Sequence, residues 1–310
     1  MDRHQKTLSK KLQISGIGLH SGKPVDVTLM PLEAGSGIWF QRTDIPGASP
    51  VLASSDNVSS TRLATTIGRP GESVSTLEHL LAALWGLGVS NLKVEVRGPE
   101  LPILDGSAQV WASVLRKAGV STLQAPRAHY RVRKAHRVED GDRIVEARPA
   151  NGLTIDATIE FPGYIESQTR HFSFTRSAFV SEICPARTFC LERDVEAMQR
   201  EGLALGGGLD NAVVIGENGK VLNPEGLRFP DECARHKILD FMGDMALAQA
   251  PIQGHFTIVR TGHTLNQRFL GELLRTPGLL ELVQPTPGTG LSGFRLPVPS
   301  VPALALAPQP

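Results

Sequence analysis

The chain is poor in cysteine, and its opposite charges nearly cancel. Of 310 residues only Cys184, Cys190 and Cys233 carry thiols, an odd number with no CxxC pair. That excludes a disulfide framework and fits reduced thiols in a cytoplasmic protein. Lysine and arginine number 32 against 31 acidic residues, a formal charge of +1. A balance this even lacks the basic excess that phosphate neutralisation demands, so no nucleic-acid partner is expected. No run approaches the roughly 18 consecutive apolar residues of a membrane span. The N-terminal MDRHQKTLSKKLQISG has basic residues but no apolar stretch behind them, so no secretory signal is expected.

What is present is ordinary for a globular enzyme: 41% hydrophobic and 20% charged residues. A chain of 310 residues has room for two domains, each of roughly 120 to 150 residues. Val25, Val27 and Leu29 alternate as one face of a strand, as do Leu92, Val94 and Val96. Between them, Ser75 and Glu78 have the spacing of a capping box that opens a helix. After DGS, Val110, Trp111, Val114, Leu115 and Ala118 form the apolar stripe of a second helix. Residues 121–129, STLQAPRAH, read as a linker. Beyond it Leu153, Ile155, Ala157 and Ile159 alternate as a strand. An insertion at about 190–215 holds a helix near Leu191 to Arg200, the turn Gly206, Gly207, Gly208, and a strand from Val213 to Ile215. Asn218-Gly219 signals a hairpin turn, and Pro230 opens the next helix. A strand, HFTIVRTGH, and a helix, TLNQRFLGELLRT, close the pattern. Both halves run strands, helix, strand, helix, which predicts α+β architecture with two similar layers. Residues 285–310 form a Pro-rich tail without periodicity.

Chemistry concentrates in PDECARHKILDFMGD. His236 and Asp240 stand four residues apart, so on a helix they share a face and can converge on one ion. His79 in STLEHLLAAL is the candidate third ligand, and two imidazoles with one carboxylate suit a zinc ion with an open fourth position. Glu78 beside it stands where a hydrolase keeps its general base. Each residue also has a plain alternative. Glu78, taken alone, reads first as the capping-box partner, His79 as a satisfied helix histidine, and His236 with Asp240 as a surface pair. Lys237 and Asp244 read as solvated charges, and Cys233 as packing.

Seven segments nevertheless occur in one order: GIGLHSGKPVDVTLMP, STLEHLLAAL, ELPILDGSA, PARTF, LGGGLDNAVVI, LNPEGLRFPDECARHKILDFMGD and GHFTIVRTGHTLNQRF. Together they resemble the UDP-3-O-acyl-N-acetylglucosamine deacetylase family, the zinc amidases of lipid A synthesis in Gram-negative bacteria, across residues 5 to 275. The resemblance implies two α+β domains, residues 1–124 and 125–284, each a sheet layer packed on helices, with the active site in the cleft between them. It implies zinc on His79, His236 and Asp240, with iron(II) as an alternative ion in the cell. Glu78 matches the family's base, His263 its second catalytic group, Asp244 the carboxylate behind that histidine, and Thr188 the hydroxyl at the oxyanion. Lys237 matches a contact to the substrate's polar head. Phe189, Gly207 and Gly208 fall in the hydrophobic passage for the acyl chain. The implied reaction removes the N-acetyl group of UDP-3-O-(3-hydroxyacyl)-N-acetylglucosamine, the committed step of lipid A synthesis.

Cys190 replaces the glycine usual after PARTF, and Gly208 a frequent serine; both bear on acyl preference and not on the chemistry. His20 lies in a family motif without an assigned role. Two rival readings stand beside this one: a metal amidohydrolase acting on another acylated sugar, and a zinc-stabilised binding module without turnover.

Overall fold

The computed structural model describes residues 2–284. The Pro-rich tail at 285–310 lies outside the described residues. The strand expectations hold at the level of single side chains. In Pro24–Pro31, Val25, Val27 and Leu29 are buried while Pro24, Asp26 and Pro31 are exposed. Leu92–Arg97 buries Leu92, Val94 and Val96. Leu153–Phe161 buries Leu153, Ile155, Ala157 and Ile159. Period-two burial of this kind means that each sheet turns one face to a core.

There are two principal sheets. The first has five strands in the order Leu12–Ile17, Pro24–Pro31, Leu92–Arg97, Ile38–Arg42, Val51–Leu52. The second has seven strands around Ile252–Val259, which pairs with Arg143–Arg148 antiparallel and with Leu153–Phe161 parallel. Each sheet contains a long parallel pair: Phe40 opposite Val94 in the first, Ile155 opposite Phe256 in the second. Parallel neighbours cannot be joined by a tight turn, so the chain must cross over between them. The crossover of the first sheet carries the helix Glu78–Leu87, and that of the second carries Glu232–Met245. The two candidate ligand helices therefore occupy equivalent places in the two layers.

Those two helices pack on each other. Every residue of Glu78–Leu87 is buried, as is every residue of Glu232–Met245 except Lys237. Their backbones meet at Gly243, where an added Cβ would come 2.2 Å from the Glu78 carbonyl oxygen. Only glycine permits that approach. Behind them, Phe241 packs at a tilt against Phe256 of the second sheet, and Phe256 edge-to-face against Phe269 of the helix His263–Arg275, at centroid distances of 5.3 and 6.3 Å. One apolar cluster runs without a break from Val27 and Val94 through Leu80 and Leu84 to Phe241, Met245 and Ile258.

Three local expectations need correction. Residues 121–129 are no linker, because Val120–Pro126 is a strand paired antiparallel with His4–Leu8. Its partner lies more than a hundred residues earlier, beyond the reach of local patterning. Ser75 does not cap the Glu78 helix: its amide donates to the Pro99 carbonyl and its hydroxyl accepts from Thr66. The chain turns at Thr76 instead, at φ +59°, a conformation that costs a β-branched residue on the order of 1–3 kcal/mol. Pro230 stands just ahead of the helix, which begins at Glu232. The turn at Asn218 and Gly219 is as expected, with φ of +56° and +74°.

Candidate metal centre and its acid–base partners

The crossover helices bring His79, His236 and Asp240 together, with potential ligand atoms all within 4.8 Å of one another. All three side chains are buried. Asp240 Oδ1 lies 3.2 Å from His236 Nε2 and 3.9 Å from His79 Nε2, and the imidazole planes meet edge to face at 83°. Asp240 Oδ2 accepts from Lys237 Nζ at 2.8 Å. Burial would raise the Asp240 carboxyl, but His236 and Lys237 hold it well below the usual carboxylate range. Burial, then the neighbouring His236, pushes His79 down to about 3, so its ring stays neutral and free to ligate. Two ring nitrogens and an anionic oxygen, converging in a dry site, suit one divalent cation. Across the described residues this is the one cluster of histidine, cysteine and carboxylate ligands close enough to hold a metal.

A second group adjoins it. His263, first residue of its helix, is placed by the short connection from Ile252–Val259. Its Nδ1 lies 2.9 Å from Asp244 Oδ2, and its Nε2 lies 3.7 Å from Glu78 Oε1. Burial works against a charged imidazole, yet Asp244 and then Glu78 raise His263 to about 10. Burial raises Glu78 to about 7. With Ser75 engaged elsewhere, the capping-box alternative for Glu78 falls away.

Sequence reading missed the residue that joins these acids. Thr65, fully buried, donates its amide to Glu78 Oε2 at 3.1 Å and its hydroxyl to Asp244 Oδ1 at 2.6 Å. Asn266 donates to the other Asp244 oxygen at 2.8 Å. Nothing in the spacing of TRLATT marks Thr65, because its partners Glu78, Asp244 and, at 3.3 Å, His263 Nδ1 come from three separate segments. Asn266 had a weak signal: it lies one helical turn after His263.

Of the remaining expected residues, Phe189 and Lys237 adjoin this centre. Phe189 faces His236 edge-on at 6.3 Å, and Lys237 Nζ sits 5.3 Å above the Phe189 ring. Thr188 is tied through its backbone, donating to the Gly106 carbonyl and accepting from Val213. The insertion docks on the Gly18–Gly22 turn: Leu205 and Gly206 donate amides to the carbonyls of His20 and Leu19. Gly207 and Gly208 follow, held by the Ala204 carbonyl and the Asn211 side chain. Leu205, Leu209 and Ile17 are exposed around this contact, at 53%, 41% and 43%. Such apolar exposure in a well-packed chain suits an apolar ligand. His20 is partly buried, and its Nδ1 accepts from the Ala204 amide.

An α+β chain with a buried His–His–Asp cluster, flanked by a carboxylate and a charged imidazole, falls in the class of hydrolytic metalloenzymes. Comparison with known proteins narrows the class. Residues 5–275 match the family described as LpxC, UDP-3-O-acyl N-acetylglycosamine deacetylase. A protein of Geobacter sp. (strain M21) named UDP-3-O-acyl-N-acetylglucosamine deacetylase is 45% identical over 298 residues, covering 96% of this chain and 97% of its own. One of the same name from Myxococcus xanthus (strain DK1622) is 46% identical over 281 residues, covering 90% and 89%. Another, from Oleidesulfovibrio alaskensis, is 46% identical over 268 residues, covering 86% and 88%. The chain belongs to the UDP-3-O-acyl N-acetylglycosamine deacetylase family. No helix among the described residues is long and apolar enough to cross a membrane.

Proposed function

We propose that this chain is a Zn2+-dependent hydrolase that removes the N-acetyl group of UDP-3-O-(3-hydroxyacyl)-N-acetylglucosamine in the cytoplasm, giving the free amine and acetate for lipid A synthesis. The observation that carries the reading is one buried constellation of three ligand atoms beside an ion-paired Glu78 and His263. A binding module needs no such pair. The reading also takes residues 1–124 and 125–284 as two domains with the site between them, one ligand coming from the first and two from the second.

His79, His236 and Asp240 would hold the ion, which when bound polarises the amide carbonyl and makes water more acidic. The chain's own groups then divide the proton traffic. Glu78, ionised, accepts a proton from the attacking water. The Thr188 hydroxyl donates to the oxyanion as the carbonyl carbon becomes tetrahedral. His263 delivers its proton to the amide nitrogen as the C–N bond breaks, because an amide anion is a very poor leaving group. Asp244 and Thr65 keep that imidazole charged and aimed. Lys237 meets the polar head of the substrate, and Phe189 with the Gly207–Gly208 turn borders the acyl chain.

Mass spectrometry of the purified protein with the UDP-sugar tests the assignment. Loss of one acetyl group and release of acetate is the expected result. An unchanged substrate, with metal supplied, overturns it.

A further inference from the structure

The helix Glu232–Met245 carries Glu232, His236, Asp240 and Asp244 at intervals of four residues, a stripe that drifts around its axis by only about 40° per step. The last three are absorbed by the site already described. Glu232 is not. It is fully buried and lies one turn before His236. Its Oε1 accepts from the Arg187 amide at 3.0 Å and from Arg187 Nε at 2.9 Å. Its Oε2 accepts from Arg187 Nη2 at 3.2 Å and from the Arg228 amide at 2.6 Å. Arg187 is itself 1% exposed, and its remaining donors go to Glu225 and to the Gly226 carbonyl.

The carbonyl of the same peptide unit, Ala186 C=O, accepts from His236 Nδ1 at 3.0 Å. A trans peptide is planar, with N–H and C=O pointing in opposite directions. Fixing one therefore fixes the other. Glu232 and His236, neighbours on one helix face, hold the two ends of the Ala186–Arg187 peptide. A carbonyl can only accept, so His236 Nδ1 must carry a proton, and in the neutral ring that leaves Nε2 free beside Asp240.

We propose that Glu232, through Arg187 and the Ala186–Arg187 peptide, is a positioning residue that sets the His236 tautomer and presents Nε2 to the metal. The same grip fixes the start of the Thr188–Phe189 segment. Glu232 touches neither substrate nor ion; it acts by orientation. The proposal rests on the metal-centre reading above, and its test separates the two.

The test uses the full-length chain freed of metal, with Zn2+ alone as probe in competition with a chromophoric chelator. Glu232→Gln keeps the volume but cannot accept at both oxygens, and should weaken Zn2+ binding by about tenfold; outer-shell partners of this kind typically matter by 10–100-fold. Imidazole nitrogen spectra of that variant without metal should show His236 as a mixture of tautomers. Arg187→Met with Glu232→Gln leaves no unpaired buried charge, and serves if the single variant does not fold. The wild type tests the idea unaided, because a metal-free His236 carrying its proton on Nε2 overturns it. So does a folded Glu232→Gln with wild-type Zn2+ affinity and an unmixed Nδ1–H tautomer. His236→Ala is the control: if it binds Zn2+ as tightly as wild type, the metal-centre reading fails and not merely the grip.

Discussion

Two corners of one buried site treat the same side chain in opposite ways. At the ligand corner His79 is pushed down to about 3; at the acid–base corner His263 is raised to about 10. Burial lowers both and cannot be the difference. Neighbours decide. His79 faces another imidazole, His236, and shares Asp240 with it and with Lys237. His263 has Asp244 at 2.9 Å and Glu78 at 3.7 Å. One carboxylate divided among three bases leaves a neutral ring able to bind metal, whereas two carboxylates on one ring keep it charged.

The largest effect should come from emptying the ligand corner. His79→Ala, His236→Ala and Asp240→Ala should each strip metal from the protein and lower turnover on the order of a thousandfold, since a Lewis acid supplies several kcal/mol. Elemental analysis of dialysed variants checks this, and full occupancy in all three would dissolve the distinction between corners. The acid–base corner should lose less and keep its metal. Glu78→Ala and His263→Ala should drop the rate by roughly a hundredfold or more at unchanged metal content. Near-normal turnover in a folded Glu78→Ala would make that carboxylate a structural acid.

Subtler changes sharpen the contrast. The proposed mechanism needs Glu78 ionised and His263 protonated, so it predicts a rate that rises with pH through Glu78 and falls with pH through His263. Their values of about 7 and about 10 bracket the active range, and a bound cation would draw the lower limb further down. Asp244→Asn removes the charge that chiefly raises His263, so the alkaline limb should move to lower pH; a pH–rate profile with that limb unmoved would count against the pairing. Thr65→Val keeps the amide that holds Glu78 but leaves one Asp244 oxygen buried without a donor, a loss of about 1–3 kcal/mol. Denaturant titration of the metal-free variant should show it, and wild-type stability would mean that water or a neighbour replaces the hydroxyl.

Much of this was legible in the chain, and the limit has a physical cause. The ligand corner shows because a helix turns spacing into direction: His236 and Asp240 at i and i+4 must share a face, and the alternating valines must line a sheet. The acid–base corner shows only in part. Glu78 was legible as the acid beside His79 and His263 came with the family's motifs, but Thr65 joins acids from two helices, a relation no local period encodes. The Ser75 capping box failed for the same reason, since the pattern was right but its donors and acceptors were taken by Pro99 and Thr66. The strand Val120–Pro126 passed for a linker because its partner is the N-terminal strand. Local periods reveal faces; partners across the fold decide protonation.

The most direct test of that claim is a pH titration of the metal-free protein, following the imidazole nitrogens of His79 and His263 separately. Between about pH 5 and 8, where an ordinary histidine changes charge, neither should titrate: His79 should remain neutral throughout and His263 charged throughout. Two rings titrating together near 6.5, the ordinary value, would mean that the corners do not differ, and that neighbours do not divide the site into ligand and acid.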